Sequence, residues 1–486
     1  MRVAFLTLDA DEPLAYGIIS LAGALRAHGH AVRMVQGRQI DSLLPMPEVI
    51  GAEVLAMSAT TGLHRVYNQW ARRLRAAFPD KLIVLGGAHP TFFPEVIEQA
   101  PYDGICLGEG EESFPEFLAA ANTGEPVPGW WIRRDHGRGE VIRGPRRPPV
   151  ANLDGLPFAA HDLFYDPALG GRRDYAHAPH KVFLATRGCP FRCRYCFNRT
   201  LSDERRPHGL VMRTRDPEQV ADEILEVKAR WGLELTWFLD ANFIAHRPWL
   251  EAFLPVYRRR VGLPFVAKLR PERATGPVVD LLAEAGCTAV GVGIESGSER
   301  LRKEVLGRGG NDQDIVEGCR RLRRKGIRIF SFNLLGIPSE TLDEALRTVA
   351  LNVACGVNFA AATSLQPYPG TELARWAEEH GYFDGDYDRL GYSYFDPSPL
   401  RFPSDRDRDR ITNLQRLFSY AVEFPEVRRR LRWLIDRPPS QLFGHLFRLR
   451  HRRSMRKLFY RAFQRDPETP TRPFPSVEDA WRELKI

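Results

Sequence analysis

Residues 186–198 read Thr-Arg-Gly-Cys-Pro-Phe-Arg-Cys-Arg-Tyr-Cys-Phe-Asn, and they hold three of the seven cysteines of the chain. Cys189, Cys193 and Cys196 are spaced by four and three residues, on a loop that follows a predicted strand. Thiolates at this spacing can bind one face of a 4Fe–4S cube, which normally takes four cysteines. The missing fourth ligand would leave one iron open to a small chelating molecule. Zinc is the alternative, but it needs a fourth Cys or His nearby, and the next histidine is His208, twelve residues beyond Cys196.

The other four cysteines stand singly in apolar segments, at Cys106, Cys287, Cys319 and Cys355. This distribution does not resemble a disulfide framework, and it predicts small core residues in a reducing compartment. The N-terminal apolar run meets acidic residues from Asp9 onward, too early for a signal peptide. No stretch approaches the roughly 20 apolar residues of a membrane-spanning helix. We therefore expect a cytoplasmic protein.

The length of 486 residues predicts two to four domains, and a hydrophobic content of 43% is that of a folded protein. The net charge of +8 is uneven along the chain. Residues 428–461 hold twelve Lys or Arg against one acid, Asp436, and so carry +11. The remainder of the chain is slightly acidic.

Residues 1–125 alternate short apolar runs with helical patterns, such as those at 19–27 and 66–78. This alternation predicts a doubly wound parallel sheet that binds ligands at the carboxyl ends of its strands. The five expected strands are 3–8, 31–35, 54–58, 82–85 and 104–107. No Gly-x-Gly-x-x-Gly follows the first strand, which argues against a dinucleotide site.

Residues 126–180 are rich in Pro, Gly and Arg and predict a surface linker with a small hairpin at 130–132 and 141–143. Residues 181–370 repeat the strand and helix alternation, which predicts a partial barrel of six βα units. Its expected strands are 182–186, 235–239, 265–269, 289–294, 327–334 and 361–365. Residues 371–486 predict a helical, basic C-terminal region in which 405–410 form a solvated turn.

The three cysteines with an aromatic residue before the third resemble the signature of the radical S-adenosylmethionine (SAM) enzymes. The resemblance implies that the amino and carboxylate groups of SAM chelate the open iron, and that reductive cleavage yields a 5′-deoxyadenosyl radical. Tyr195 corresponds to the aromatic residue that packs near the adenine.

Three strand ends that follow the cysteines resemble SAM-contacting segments of that superfamily. They are Phe-Leu-Asp-Ala-Asn-Phe at 238–243, Gly-Val-Gly-Ile-Glu-Ser-Gly-Ser at 291–298 and Leu-Gly-Ile-Pro-Ser-Glu at 335–340. Many relatives carry two acids where this chain has Asp-Ala at 240–241. The SAM-binding residues implied by the resemblance are Tyr195, Asp240, Gly293, Glu295, Ser296, Asn333, Gly336 and Pro338.

The strand ends of residues 1–125 resemble the cobalamin-binding domain that is fused to one large radical SAM class. Glycines at these ends let the backbone approach a bulky corrin, at the edge of the sheet where ligands bind. The cobalamin-binding residues implied by the resemblance are Tyr16, Gly17, Ser58, Thr60, Thr61, Gly86, Gly87, His89, Pro90, Gly108 and Glu109.

The loop after the first strand departs from one pattern of such domains. Domains that supply an axial histidine carry Asp-x-His-x-x-Gly there, whereas residues 9–17 read Asp-Ala-Asp-Glu-Pro-Leu-Ala-Tyr-Gly. The resemblance therefore implies a corrin without a protein imidazole on cobalt, which should ease cobalt reduction. His89 follows a different strand, so we expect a loop or corrin-edge role for it.

The expected function is methylation of an unactivated carbon through methylcobalamin and the 5′-deoxyadenosyl radical. Cobalamin-dependent cyclisation or ring contraction is the first alternative, and nucleic-acid modification through the basic tail is the second. A methylthiotransferase would need three further cysteines in the N-terminal domain, which has only Cys106.

The expected partners are a small-molecule or lipid substrate and a flavodoxin or ferredoxin as reductant. Apolar residues among the arginines of 428–461 suit peripheral contact with an anionic membrane, and a solvated helical cap is the alternative. Nucleic acid is the less favoured partner.

Overall fold

The structure is a computed structural model that describes residues 1–8, 16–120, 125–169, 178–391, 393, 395–461 and 474–485. Side chains are described in these ranges except for 454–461 and 485. Two parallel sheets, one from each half of the described chain, carry the fold.

The first sheet has a parallel core of five strands in the order β2-β1-β3-β4-β5. Its strands are β1 Arg2–Leu8, β2 Ala31–Gly37, β3 Val54–Ser58, β4 Leu82–Gly86 and β5 Gly104–Cys106. The intervening helices are α1 Tyr16–Ala27, α2 Ile40–Leu43, α3 Pro47–Gly51, α4 His64–Ala77, α5 Ala88–Phe92, α6 Val96–Gln99 and α7 Ser113–Ala120. The predicted doubly wound sheet is confirmed, and this strand order places its ligand crevice at the carboxyl ends of β1 and β3.

A hairpin extends this sheet beyond its parallel core. Strands β6 (Trp130–Arg133) and β7 (Val141–Arg143) form the predicted hairpin, but β6 also pairs antiparallel with β5. Trp130 is buried and its ring stacks on Phe117 with centroids 4.1 Å apart. The first part of the expected linker is therefore a continuation of the first sheet, because the open edge of β5 and the apolar face of α7 accept it.

The second sheet has six parallel strands in the order β15-β14-β13-β12-β11-β8, as predicted for a partial barrel. After α8 (Asp162–Tyr165), the strands are β8 His180–Phe183, β9 Thr186–Gly188, β10 Met212–Thr214, β11 Leu235–Phe238, β12 Phe265–Leu269, β13 Cys287–Glu295, β14 Arg328–Leu335 and β15 Phe359–Ser364. The outer helices are α9 Phe197–Arg205, α10 Pro217–Trp231, α11 Arg247–Arg260, α12 Gly276–Glu284, α13 Asp312–Arg324 and α14 Leu342–Ala354. The short strands β9 and β10 pair antiparallel as a separate ribbon that carries the cysteine loop.

The C-terminal region is helical, as predicted. It comprises α15 Glu372–Glu379, α16 Asp405–Glu423, α17 Pro425–Arg429, α18 Leu431–Ile435, α19 Gln441–Arg461 and α20 Val477–Lys485. The solvated turn expected at 405–410 was wrong, because these residues begin α16. The Ser404 hydroxyl caps the helix by accepting from the Asp407 N–H, and acidic residues in the first turn suit the positive end of the helix dipole. Within the described ranges, no helix combines the length and the apolar character needed to cross a bilayer.

A buried carboxylate joins the two sheets. Glu109, just after β5, accepts hydrogen bonds from Arg213 (2.5 Å) and Arg205 (3.1 Å) and lies 3.7 Å from Arg187. Burial opposes ionisation of Glu109, but the hydrogen bond from Arg213 and the nearby arginine charges outweigh it and lower its pKa. Glu111 adds a 2.6 Å ion pair to Arg187. All three arginines belong to the segment around the cysteine loop, so this network holds the loop against the first sheet.

We expect Glu109→Gln to lower the free energy of unfolding by roughly 3 kcal/mol, because it leaves buried guanidinium groups without their anion. Urea unfolding of both proteins measures the change. Glu112→Gln is the matched control, since Glu112 forms an exposed pair with Arg147 at 3.0 Å. Its loss should cost less than about 1 kcal/mol. Equal destabilisation by the two variants would contradict a structural role for the buried network.

Candidate active site

The cysteine loop connects the β9–β10 ribbon to α9. Gly188, directly before the first cysteine, has φ +96°, and a Cβ on it would lie 2.1 Å from the Val211 carbonyl oxygen, so only glycine fits. Cys196 precedes the first residue of α9, and its N–H donates to the Cys193 carbonyl at 3.2 Å. The Ser202 hydroxyl of α9 donates to the Cys189 carbonyl at 2.9 Å. Helix and loop therefore brace each other.

The three thiols are free and near enough to influence one another electrostatically. Burial raises the pKa of Cys189, and it raises that of Cys196 to about 11, so both hold protons until a metal displaces them. No three His, Cys, Asp or Glu side chains of the described residues converge as ligands of a single metal ion. A 4Fe–4S cube does not need such convergence, because each cysteine binds a different iron. The donor set fits the cluster.

The remaining cysteines are core residues, as predicted. Cys106, Cys287, Cys319 and Cys355 are all buried and none forms a disulfide. Burial raises the pKa of Cys106 to about 12, so this thiol is unreactive.

Arginines surround the cysteine loop from the neighbouring strand ends. Arg270, which follows β12, donates to the Cys193 sulfur, and its guanidinium lies 3.8 Å from the centroid of the Phe191 ring. Arg308 pairs with both Glu272 (3.3 Å) and Glu295 (3.4 Å). Positive charge of this kind stabilises thiolates and the anionic cluster that they hold.

Tyr195 and Glu295 are brought together, as the resemblance implied for two SAM-binding residues. The Tyr195 hydroxyl hydrogen-bonds the Glu295 carboxylate, and burial raises the pKa of both groups. Glu295 ends β13 at a register shift after Gly293 and has φ +67°, in the left-handed region. A Cβ at Gly293 would lie 2.4 Å from the Glu295 Oε1 atom, so the glycine makes room for this carboxylate. Ser296 is fully buried.

Asp240 lies at the end of β11 and is fully buried. Its carboxylate accepts from the Thr186 hydroxyl at 2.6 Å and from the Ala185 N–H at 3.3 Å. Burial raises its pKa, and the Thr186 hydrogen bond opposes that shift. Asp240 therefore anchors the strand that leads into the cysteine loop.

The turn after β14 is closed by a carboxyl group. Glu340 accepts from the N–H groups of Gly336 (2.7 Å) and Ile337 (3.2 Å). Gly336 has φ +72° and Pro338 is buried in the same turn. Burial raises the pKa of Glu340 to about 8, so its carboxyl is protonated at neutral pH.

Asn333 lies elsewhere than the other residues expected to bind SAM. Its amide is hydrogen-bonded to Ser331 (3.0 Å), Asn352 (2.7 Å) and the Ala361 carbonyl (2.9 Å). Asn352 belongs to α14, so the Asn333 side chain faces the outer helices rather than the concave face. The strand itself was predicted correctly. Successive side chains of a strand point to opposite faces, and Asn333 is on the face that packs against the helices.

The carboxyl ends of β3 and β4 interlock. Gly87 has φ +97°, and a Cβ on it would lie 2.7 Å from the Ala59 carbonyl oxygen and 2.8 Å from the Ser58 hydroxyl. Gly86 and Pro90 flank this contact, and the Ala59 N–H donates to the Gly86 carbonyl at 2.8 Å. The backbone of the two strand ends is thus packed tightly beneath the expected corrin site.

His89 is buried between Thr61 and His64. Its Nδ1 atom lies 3.1 Å from the Thr61 hydroxyl, and its ring stacks on His64 with centroids 3.8 Å apart. Its Nε2 atom is buried and has no hydrogen-bond partner among the described residues. Burial, reinforced by His64, lowers its pKa to about 3, so the ring is neutral. An unpartnered neutral nitrogen at this edge fits a polar ligand group such as the tail of a corrin.

The other residues expected to bind cobalamin differ in their exposure and in their contacts. Gly17, Thr60 and Gly108 are exposed, and no atom lies within 4 Å of a Cβ built at either glycine. Residues 9–15 lie outside the described residues. Tyr16 is buried beneath the cysteine ribbon, with its ring 6.2 Å from His161, and Glu109 is held by its arginines. These last two lie at the contact between the sheets.

The carboxyl edges of the two sheets meet. Phe92, which ends α5 after β4, stacks on Phe197, the residue after the third cysteine, with centroids 4.7 Å apart. Phe93 packs against Tyr387 at 5.2 Å, and the His64 Nε2 atom lies 3.4 Å from Asp388. A ligand on either edge would therefore border the other.

Several site residues were not predicted from the sequence. His64 sits at the first position of α4, and Arg270 and Arg308 follow strands or turns near the cysteines. Asn242 is 3% exposed, and neither amide atom has a partner among the described residues. Polar residues directly after correctly predicted strands were the available signal for Arg270 and Asn242.

Two family models match the chain. Residues 183–351 match the radical SAM superfamily, and residues 6–118 match the B12 binding domain. Together they imply a 4Fe–4S cluster, SAM and cobalamin as cofactors, in agreement with the sequence-based prediction.

Similar proteins are found among both sequences and structures. An uncharacterised methyltransferase of Pyrococcus horikoshii is 26% identical over 74% of this chain and 78% of its own. The anaerobic magnesium-protoporphyrin IX monomethyl ester cyclase of Rubrivivax gelatinosus is 25% identical over 82% and 72% of the two chains. The radical SAM methyltransferase TsrM of Kitasatospora setae, solved with cobalamin and a [4Fe-4S] cluster bound, is 18% identical, covers 78% of each chain and has a TM-score of 0.60. This structural likeness confirms the fold.

The pKa of Glu340 yields a pH prediction. Because the folded carboxyl, with a pKa of about 8, keeps a proton that the unfolded chain has lost, its stabilising contribution is complete below the unfolded value of 4.5. It declines as the pH rises toward 8. Glu340→Gln removes this dependence. We expect the unfolding midpoint of the wild type to fall more than that of the variant between about pH 5 and pH 8.

Glu344→Gln is the matched control in the same turn. Arg300 and neighbouring donors lower the pKa of Glu344 to about 2 against the effect of burial, so its stabilising contribution is lost only in acid. Its replacement should lower stability by a similar amount at both pH values. Parallel pH profiles for wild type and Glu340→Gln would show that Glu340 is ionised in the folded protein.

Proposed function

We propose that this chain, which belongs to the radical SAM enzymes with an N-terminal B12-binding domain, transfers a methyl group to an unactivated carbon of a small molecule. The observation that carries the proposal is the meeting of the two carboxyl edges, with Phe92 stacked on Phe197 at 4.7 Å. Methyl transfer between two cofactors and one carbon requires that both cofactors border the same space. The methyltransferase of Pyrococcus horikoshii supports the same class of reaction.

When bound, the cluster, SAM and cobalamin supply the electron, the hydrogen-abstracting radical and the methyl carrier. We assign Cys189, Cys193 and Cys196 as the cluster ligands. Tyr195, Glu295 and the turn at 336–340 then line the SAM side, while the strand ends at Gly86–Gly87 and Gly108 line the cobalamin side. The reductant is expected to be a flavodoxin or ferredoxin.

The protein residues contribute placement and exclusion of water. Arg308 holds the Glu295 carboxylate at 3.4 Å, so this acceptor keeps a fixed direction at the strand end. Thr186, fixed by Asp240, directs the segment that enters the cysteine loop. Aromatic side chains at the meeting edges restrict solvent around a reactive carbon.

Cyclisation is the second candidate, because the cyclase of Rubrivivax gelatinosus matches 82% of this chain. It would use the same cofactors without net methyl transfer. Product analysis separates the two.

We expect the reconstituted enzyme to form S-adenosylhomocysteine and 5′-deoxyadenosine in equal amounts per methylated product. When bound, one SAM molecule would supply the methyl group and a second would supply the hydrogen-abstracting radical. The assay supplies the small-molecule extract of the producing cells under anaerobic, reducing conditions, with quantification by mass spectrometry. Formation of 5′-deoxyadenosine without extract-dependent S-adenosylhomocysteine would favour cyclisation.

Cys193→Ala serves as the control for this experiment. Loss of one cluster ligand should abolish 5′-deoxyadenosine, because no electron reaches the sulfonium of SAM. Cys355→Ala, at a buried cysteine far along the chain, should retain it. If Cys193→Ala still forms 5′-deoxyadenosine at the native rate, the assignment of the cluster fails.

The C-terminal helices support a further proposal, peripheral contact with an anionic membrane. Trp433, Leu442 and Leu449 are exposed by 58%, 63% and 65%. Leu442 and Leu449 are two turns apart on α19 and so share one side of it. The exposed arginines around them are Arg430, Arg437, Arg448, Arg452 and Arg453. Apolar and cationic side chains combined in this way suit a surface of anionic lipid.

Vesicle flotation tests this contact. We expect the protein to float with phosphatidylglycerol vesicles and not with phosphatidylcholine, and the double variant Leu442→Asp, Leu449→Asp to lose binding. Ile50→Asp is the control, because Ile50 is 56% exposed on the first sheet's side of the molecule. Absence of wild-type flotation with either lipid would leave a solvated cap as the role of these helices.

A further inference from the structure

One part of the concave face of the second sheet is packed with apolar side chains, and another part is open to solvent. The packed part is an apolar cluster formed by Leu235, Val266, Ala289, Phe330 and Phe359. Lys268 follows Val266 by two residues on β12, so its side chain shares this face. The register places Lys268 beside Gly291 and Gly291 beside Phe330. The Phe330 and Phe332 rings cover Gly291, where a Cβ would lie 2.6 Å from Phe330. The open space therefore begins beyond this glycine, beside the half-buried Lys268 side chain and the exposed Phe332 ring.

An exposed aromatic ring borders the same space. Phe332, two residues beyond Phe330 on β14, is 41% exposed, although it lies on a sheet whose other face is fully packed. A Cβ at Gly291 would lie 3.0 Å from the Phe332 ring. Lysine and phenylalanine thus flank one glycine, a combination that fits a ligand with an anionic group and an apolar body.

The Lys268 ammonium has no hydrogen-bond or ion-pair partner among the residues that the structure describes. Asp240 acts on it only at a distance, because the Asp240 oxygens accept from Thr186 and Ala185. By contrast, the buried Lys181 donates to the Ala178 carbonyl at 2.7 Å. Burial lowers the pKa of Lys268, which an anionic ligand would reverse.

The arginines near this face already have ion-pair partners. Arg270 contacts Glu272 and the Cys193 sulfur, and Arg308 is held by Glu272 and Glu295. Lys268 lies two residues before Arg270, roughly 6.5 Å deeper along the strand and away from the cysteines. A carboxylate chelated at the cluster would meet Arg270 first, so Lys268 is positioned for a different anion.

A second unpartnered polar group lies on the loop that follows β11, next to the residue that contacts the Lys268 backbone. Asn242 is 3% exposed and neither of its amide atoms has a partner among the described residues. The neighbouring Phe243 N–H donates to the Lys268 carbonyl at 2.9 Å, which fixes this loop beside β12. Buried amides without a protein partner are rare, so the Asn242 amide is available to a substrate group or to an ordered water.

We propose that Lys268 binds a carboxylate or phosphate group of the substrate on the concave face of the second sheet. The inference rests on the proposed function only in taking this face as the substrate space. The ion pair fixes one end of the substrate, and the ring of Phe332 packs against its apolar part. The reacting carbon then lies above, toward the cysteines.

Competitive acetylation of the anaerobically reconstituted enzyme tests this binding. The chain has only eight lysines, so mass spectrometry can follow each one after treatment with trace acetic anhydride. Sodium benzoate is the probe anion and benzamide its neutral counterpart. Benzoate at roughly ten times its Kd should slow acetylation of Lys268 about tenfold, and benzamide should not. Lys228, exposed on α10, is the internal control and should not respond.

Calorimetry with benzoate provides the second measurement. We expect Lys268→Met to weaken benzoate binding about tenfold and Lys268→Arg to retain it, as for one charge-assisted hydrogen bond. Equal protection by benzamide, or protection of Lys268 by SAM alone, would overturn the proposal, the latter because the anion would be that of SAM. Neither readout requires turnover. A protein that binds benzoate through Lys268 but forms no S-adenosylhomocysteine keeps this inference and loses methyl transfer.

Discussion

The carboxylate of Glu109 is the contact on which the arrangement of the two sheets depends. It accepts from Arg205 and Arg213 and faces Arg187, which stands two residues before the first cysteine. A charge of this kind is stable in a buried place only while its partners stay in position. The distance between the first sheet and the cysteine loop is therefore set by a specific ionic contact as well as by apolar packing. The strand ends of the two sheets are brought to one site partly through it.

The geometry that follows is suited to chemistry shared between cofactors. Parallel sheets bind ligands at the carboxyl ends of their strands, and here two such ends face each other across Phe92 and Phe197. The cysteine loop lies at this border and is braced from the first sheet, from α9 and from the strand ends that carry Arg270 and Glu295. Polar groups that lack a hydrogen-bond partner in the described part of the chain lie on both sides, at His89 and at Asn242.

Much of the architecture is predictable because buried parallel strands leave a strong signal. Each of the eleven expected strands of the two sheets is present, and the cysteine loop lies within the residues that match the radical SAM superfamily. The direction of a side chain was harder to predict from the sequence. Asn333 was expected at the ligand but points to α14, because successive side chains of a strand point to opposite faces of the sheet. The sequence did not predict pairings between distant segments, such as the contact of β6 with β5 or of Glu109 with arginines up to 104 residues away. The helix at 405–423 was not predicted, because its highly charged first turn resembles a solvated loop. Ser404 was the available signal, since serine is a common N-cap residue.

At Glu295 the backbone conformation and the side-chain contacts favour different residues. An L-amino acid with φ +67° costs about 1–2 kcal/mol relative to an ordinary conformation, and glycine would relieve that cost. The buried Arg308 would then keep only Glu272 as an anionic partner, which offsets the gain in backbone energy, and the acceptor proposed for SAM would be absent. The backbone preference of residue 295 and the pairing of its side chain thus oppose each other, and the buried ion pair keeps the strained conformation in place. An effort to stabilise this enzyme would do well to leave this strand end unchanged and to seek its gains on the outer helices.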